Sequence, residues 1–62
     1  MKVKILLEKV SGGFVATCSH DGCDICEKTA ATGELAVRRA KARAIELSEE
    51  DVEFEVVDLS CS

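Results

Sequence analysis

The sequence predicts a small α+β domain in which a three-stranded sheet packs on one helix. Alternating apolar and charged residues occur near both ends of the chain, and an alanine-rich segment with helical spacing lies between them. Two adjacent glycines interrupt the first alternating region and divide it into a hairpin. The predicted element order is β-β-α-β, and residues 1–62 form one domain because so short a chain has room for only one core.

The predicted hairpin occupies the first part of the chain. Residues 2–8 alternate in the way that is typical of a strand with one face in water. The sequence Ser-Gly-Gly at 11–13 favours a tight turn, and residues 14–18 then predict a second strand. Residues 19–31 lack a clear period, so we expect an ordered loop around the cysteines.

One helix and a third strand complete the predicted fold. Thr32 is the expected N-cap of a helix that ends near Ser48. One face of this helix gathers mostly small apolar side chains, namely Ala36, Val37, Ala40, Ala44 and Leu47. Residues 51–59 alternate again, with Val52, Phe54 and Val56 expected to face the helix. We expect strand order 2-1-3, with strands one and three as antiparallel neighbours that set Lys2 and Lys4 against Glu53 and Glu55.

The charge balance limits the partners that the domain can bind. Twelve acidic residues against eight basic ones give a net charge of −4, which argues against binding of the whole domain to nucleic acid or an anionic membrane. The first residues lack the apolar core of a signal peptide, so we expect a cytoplasmic protein. Asn and Gln are absent while Lys, Arg, Glu and Val are plentiful, a bias that fits a thermophile or a designed sequence.

Four cysteines are the main candidates for a functional site. Cys18, Cys23 and Cys26 have the spacing C-x4-C-x2-C, and the predicted strand directions bring Cys61 to the same end of the sheet. A structural zinc needs four N or S ligands, which these thiols provide, with His20 as a further possible ligand. One or two disulfides, or free thiols, remain open alternatives, since four cysteines permit three complete pairings. Zinc or a disulfide would supply the staple that a domain of this size often needs.

The same cysteine spacing resembles the ligand pattern of plant-type [2Fe-2S] ferredoxins. The resemblance implies that Cys18, Cys23, Cys26 and Cys61 are thiolate ligands in a minimal one-electron carrier. The loop between them departs from that family, because it carries acidic residues where ferredoxins favour small ones.

No set of residues predicts an enzyme active site. His20 is the lone histidine, and acid–base catalysis would require a partner such as Asp21 or Asp24 placed beside it in a pocket. The Cys23-x2-Cys26 pair lacks the strand-then-helix context of a thioredoxin-type redox motif. We therefore predict a non-enzymatic binding or structural module.

The helix carries a candidate basic patch of Arg38, Arg39, Lys41 and Arg43. These charges suit RNA or an acidic partner. Spacing also predicts intrahelical ion pairs of Arg38 with Glu34 and of Arg43 with Glu46, and the segment has no aromatic residue for base stacking. A solvated helix face is the simpler interpretation.

A second resemblance covers the hairpin and the helix. The run Gly-Phe-Val-Ala-Thr-Cys at 13–18, followed by Gly22-Cys23 and by the helix segment 36–41, resembles the small HicB-like antitoxin domain. Members of that family pair through their sheets and neutralise a small RNA-cleaving toxin, so the resemblance implies an antitoxin-type protein-interaction domain.

The sheet face opposite the helix is the candidate interface. It carries Leu6, Val15 and Val57 among charged side chains, and a contiguous apolar group with a charged rim often marks a contact surface. We predict a homodimer, or contact with a small protein partner, through this face.

Overall fold

A computed structural model describes residues 1–48 and 50–59 of the chain. Four strands form one sheet in the order β3-β2-β1-β4, and one helix packs on one of its faces. The elements are β1 Lys2–Val10, β2 Gly13–His20, β3 Cys23–Ala30, α1 Gly33–Leu47 and β4 Glu53–Asp58. The predicted α+β domain with one helix on a sheet is confirmed. The prediction of three strands is wrong.

The additional strand, β3, lies where the sequence predicts a loop. Asp21 and Gly22 form its two-residue turn, with φ of 52° and 80°, and an Asp-Gly pair is well suited to such a left-handed turn. The register then shifts between Cys18 and Ser19, which leaves Ile25 as the extra residue of a β-bulge. This bulge changes the phase of the alternation within β3, so the sequence shows no continuous period there.

The missed strand also reverses the direction of everything that follows it. One more turn of the chain makes β4 parallel to β1, whereas we expected an antiparallel pair. The predicted order is retained in the β2-β1-β4 part of the sheet. The charged residues still meet as expected, because Lys2 is in register with Glu53 and Lys4 with Glu55. Lys4 Nζ lies 3.9 Å from Glu55 Oε2.

The core lies between the sheet and α1 and contains few large side chains. Its buried members are Val3, Ile5, Leu7, Ala16, Cys18, Ala36, Ala40 and Ala44. The helix contributes only methyl groups to this set, so its backbone comes close to the sheet. The Cys18 sulfur of β2 lies 3.5 Å from the Ala40 carbonyl oxygen of α1.

The ends of α1 lie where the sequence predicts them. Thr32 is the N-cap, and its hydroxyl accepts a hydrogen bond of 3.2 Å from the Leu35 N–H. Ser48 is the C-cap. Leu47 is 49% exposed, so its predicted place on the buried face is wrong. Leu47 instead lines a shallow surface pocket together with Met1, Ser48 and Glu50.

The position of α1 leaves β4 partly uncovered. The helix packs mainly on β2 and β3, which form the other side of the sheet. Val56 therefore remains 43% exposed, although its side chain was expected to pack against the helix. Phe54 is half-buried, and the Lys41 ammonium lies 5.7 Å from its ring centroid. Within the described residues no helix has the length and apolar character needed to cross a membrane.

Candidate functional site

Two of the four cysteines meet beneath the helix. Cys18 of β2 and Cys26 of β3 are directly opposite each other in the strand register. Cys18 is fully buried and Cys26 half-buried, and both thiols donate toward the Ala40 carbonyl, at 3.5 and 3.9 Å. We call Cys18 and Cys26 the thiol pair. Both are free thiols in this structure.

Burial changes the acidity of the inner thiol. Desolvation raises the pKa of Cys18 to about 12, and the neighbouring Cys26 thiol adds to the rise. Cys18 is therefore protonated at neutral pH. Because Cys18 is fully buried and Cys26 only half-buried, an external reagent reaches the Cys26 sulfur first.

The other two cysteines lie apart from the thiol pair or outside the described residues. Cys23 is exposed and lies opposite His20, next to the β2–β3 turn. The predicted position of Cys61 beside the other cysteines depends on an antiparallel last strand, and that direction is wrong. The chain leaves β4 at Leu59, whose N–H donates to the Leu7 carbonyl at 2.7 Å, toward the opposite end of β1. Cys61 itself lies outside the described residues.

The expected metal sites gain no support from this geometry. Among residues 1–48 and 50–59 there is no group of three or more His, Cys, Asp or Glu side chains that could hold a metal ion. A zinc site or a [2Fe-2S] cluster on all four cysteines also requires Cys61, so both stay predictions. The described residues instead place two thiols side by side, which is an arrangement suited to a disulfide.

His20 connects two strands. Its Nδ1 lies 2.8 Å from the Lys2 carbonyl oxygen, and because a carbonyl only accepts, Nδ1 carries the proton and donates. Its Nε2 lies 3.4 Å from a carboxylate oxygen of Asp21, which is 89% exposed. The imidazole thus ties the end of β2 to the start of β1. Neither contact places it against a nucleophile.

The basic residues of α1 divide between two sides of the helix. Arg39 and Arg43 lie with Lys28 of β3 along one groove. Arg38 and Lys41 line another groove on the other side of the helix, next to β1. The four charges therefore do not make one continuous patch.

Each of these basic side chains also has a partner within the chain. The two predicted intrahelical ion pairs are confirmed, with N···O distances of 3.5 Å for Arg38–Glu34 and 3.1 Å for Arg43–Glu46. Arg39 donates to the Thr29 carbonyl of β3 at 3.1 Å. These contacts are local, and they favour the solvated helix face over a nucleic-acid interface.

No described element covers the sheet face opposite α1. Leu6 of β1 and Val57 of β4 are register neighbours on this face, and Val15 of β2 lies diagonal to Leu6. We call these three half-buried residues the open-face stripe. Charged residues on the same face surround it, namely Lys2, Lys4, Glu8, Glu27, Glu53 and Glu55.

A scan against protein-family models and searches of curated proteins and of solved structures give no match for this chain. The features of this chain that bear on its function are the thiol pair, the open-face stripe and the edges of the sheet.

Proposed function

We propose that this chain is a small protein-binding module that associates with a second copy of itself through the open-face stripe. The observation that carries the proposal is the position of Leu6, Val15 and Val57, which form an apolar line across three strands within a charged surface. Apolar groups with a charged rim are typical of interfaces.

Two arguments favour a second copy as the occupant. Within residues 1–48 and 50–59 only one face of the sheet is covered, so the core of this small domain is thin, and partner chains often add the missing burial. The open face also carries both signs of charge, with lysines on β1 and glutamates on each of β1, β3 and β4. In a two-fold arrangement the lysines of one copy can meet the glutamates of the other.

The double variant Leu6→Lys, Val57→Lys tests this association. We expect the dimer dissociation constant to rise by at least about a hundredfold, because two central apolar contacts become charged. Sedimentation velocity over a wide range of protein concentration measures the change. Ile45→Lys is the matched control, since it adds a lysine at an exposed apolar site on the helix and should not alter association. A wild type that stays monomeric at every concentration would contradict the proposal that the stripe binds a second copy.

The resemblance to HicB-like antitoxin domains supports an alternative function for the same face. Members of that family pair through their sheets, and the open-face stripe is the sheet surface available for pairing. In that case the small protein partner is an RNA-cleaving toxin. Rescue of growth on co-expression with such a toxin, lost in the double variant and kept in Ile45→Lys, would favour this alternative.

We also propose that the thiol pair, rather than all four cysteines, is the staple of the module. Opposed residues on antiparallel strands have Cα atoms about 4.5–5.5 Å apart, within the range that a disulfide spans. Oxidation by a small disulfide such as oxidised glutathione proceeds in two exchanges. The Cys26 thiolate attacks and releases one glutathione thiol, and Cys18 then displaces the second as it gives up its proton.

Oxidised glutathione is expected to convert the thiol pair into one intramolecular disulfide. The folded state should gain about 2 kcal/mol, because the bond closes a short loop in the unfolded chain. Intact-mass analysis and urea unfolding measure the bond and the gain. Cys23→Ser should behave like the wild type, whereas Cys26→Ser should gain no stability. A final product in which Cys26 keeps a bound glutathione and no intramolecular disulfide forms would contradict the proposal that the thiol pair is the staple.

A further inference from the structure

The two edges of the sheet differ in how they are protected. At the β3 edge the ladder is interrupted by the bulge at Ile25, and the Arg39 guanidinium covers the Thr29 carbonyl. The β4 edge has an uninterrupted register with β1 and contains no proline, lysine or arginine. Bulges, proline and charged side chains, especially lysine, are the usual means of blocking strand addition. The β4 edge has only carboxylates among these, which repel an acidic segment but not a basic one.

Backbone hydrogen bonds define which groups of β4 point outward. The Glu53 N–H donates to the Met1 carbonyl at 2.8 Å, and the Leu59 N–H donates to the Leu7 carbonyl at 2.7 Å. The odd-numbered residues of β4 therefore direct their backbone groups at β1. Because these directions alternate along a strand, Phe54 and Val56 direct their N–H and C=O groups toward the outer edge.

The side chains of β4 differ in character between its two faces. Glu53 and Glu55 lie on the open face, in register with the two lysines of β1. Phe54 and Val56 lie on the helix side, where α1 leaves them partly uncovered. A strand added at this edge would meet carboxylates on one face and apolar surface on the other.

We propose that the outer edge of β4 binds an extended segment of a partner protein in which lysine or arginine alternates with apolar residues. The added strand would receive backbone hydrogen bonds from Phe54 and Val56, and its apolar side chains would pack against these two residues. Its basic side chains would lie beside Glu53 and Glu55, so that each carboxylate is flanked by cations from both neighbouring strands.

Charge argues against a second copy at this edge. Two β4 strands related by a two-fold axis are antiparallel, and two registers give the best overlap. One register sets Glu55 opposite the partner's Glu55, and the other sets Asp58 opposite the partner's Phe54. The first opposes like charges, and the second places a carboxylate against an aromatic ring instead of a cation. A segment with basic side chains avoids both unfavourable contacts, because it places cations beside the carboxylates of β4.

The direct test uses a short, end-capped, fluorescently labelled peptide of alternating lysine and valine, with binding followed by anisotropy at low salt. A second peptide of the same sequence carries N-methyl groups on alternate residues, which removes backbone donors and keeps the charge. We expect the first peptide to bind and the second to bind at least tenfold more weakly. Equal binding of the two peptides would overturn strand addition in favour of charge attraction alone.

Variants of β4 separate the backbone contribution from the charge contribution. Val56→Pro removes an outward N–H and leaves the ladder to β1 intact, so peptide affinity should fall at least tenfold. Glu53→Gln with Glu55→Gln should weaken binding about fivefold and flatten its salt dependence. Glu34→Gln with Glu46→Gln changes the net charge equally on the helix and should leave affinity unchanged. Circular dichroism verifies that each variant is folded.

The edge proposal is independent of the open-face stripe. Leu6→Lys leaves the β4 backbone unchanged and should still bind the peptide, even where it abolishes the proposed dimer. A wild-type dimer that is lost in Val56→Pro and kept in Leu6→Lys would overturn the proposal and assign the edge to a second copy.

Discussion

Replacing Ile5 with alanine should remove a large part of the free energy of unfolding of the domain. Ile5 is fully buried on β1, between β2 and β4 and beneath α1. Removing its side chain beyond Cβ is expected to cost about 2–5 kcal/mol, because the central strand cannot close the resulting cavity. A core in a domain of this size rarely supplies more than about 3–5 kcal/mol, so the loss is comparable with the whole free energy of unfolding.

Urea unfolding followed by circular dichroism measures this loss. Leu6→Ala is the matched control, because Leu6 is the next residue on the same strand and lies on the half-buried open face. It should cost clearly less than Ile5→Ala when the protein is dilute. Equal losses in dilute protein would contradict the assignment of the two faces.

The elements with strong local signals were predicted correctly from the sequence. The first hairpin follows from its alternation and glycines, and α1 follows from the Thr32 cap and the alanine spacing. These signals are local because caps, turns and burial periodicity each act within a few residues. The predicted buried face of the helix is correct for its alanines and wrong for Leu47, because no local sequence pattern shows where the sheet beneath the helix ends.

The missed strand shows how one local signal controls distant parts of the fold. The Asp21-Gly22 pair is a hairpin signal, but residues 19–31 show no clear period and so favour a loop. Without β3 the predicted direction of β4 is wrong, and the position expected for Cys61 from that direction loses its basis with it. Parallel or antiparallel pairing thus depended on the number of turns rather than on any residue within β4.

The pairing of Cys18 with Cys26 could not be predicted from the sequence pattern, even if the Asp21-Gly22 turn is recognised. A regular ladder from the Asp21-Gly22 turn pairs His20 with Cys23, and it would set Cys18 opposite Ile25. The bulge at Ile25 moves Cys26 into that place. A bulge depends on tertiary packing, here of the half-buried Ile25 against the core, and the sequence carries no unambiguous sign of it.

The buried thiol should make the domain sensitive to alkali. The folded chain holds the Cys18 proton up to a pKa of about 12, while the unfolded chain releases it near the ordinary value of 9.0. Unfolding therefore releases a proton between these two values, and stability falls as pH rises through that window. Below pH 9 the contribution of the neutral thiol is fully present.

The expected loss is large for so small a domain. At about 1.4 kcal/mol per pH unit, the free energy of unfolding should drop by about 2 kcal/mol between pH 9 and pH 10.5. Urea unfolding under reducing conditions at several pH values measures this slope. Lysines also titrate in this range, so the informative quantity is the difference between the wild type and Cys18→Ala.

The Cys18→Ala variant should lose the steep part of the alkaline slope, because no buried thiol remains to hold its proton. Cys23→Ser should keep that slope, since its thiol is exposed and its removal leaves the thiol pair intact. Parallel slopes in the wild type and in Cys18→Ala would show that the Cys18 thiol ionises freely in the folded state. That result would contradict the burial of the thiol pair beneath the alanine face of α1.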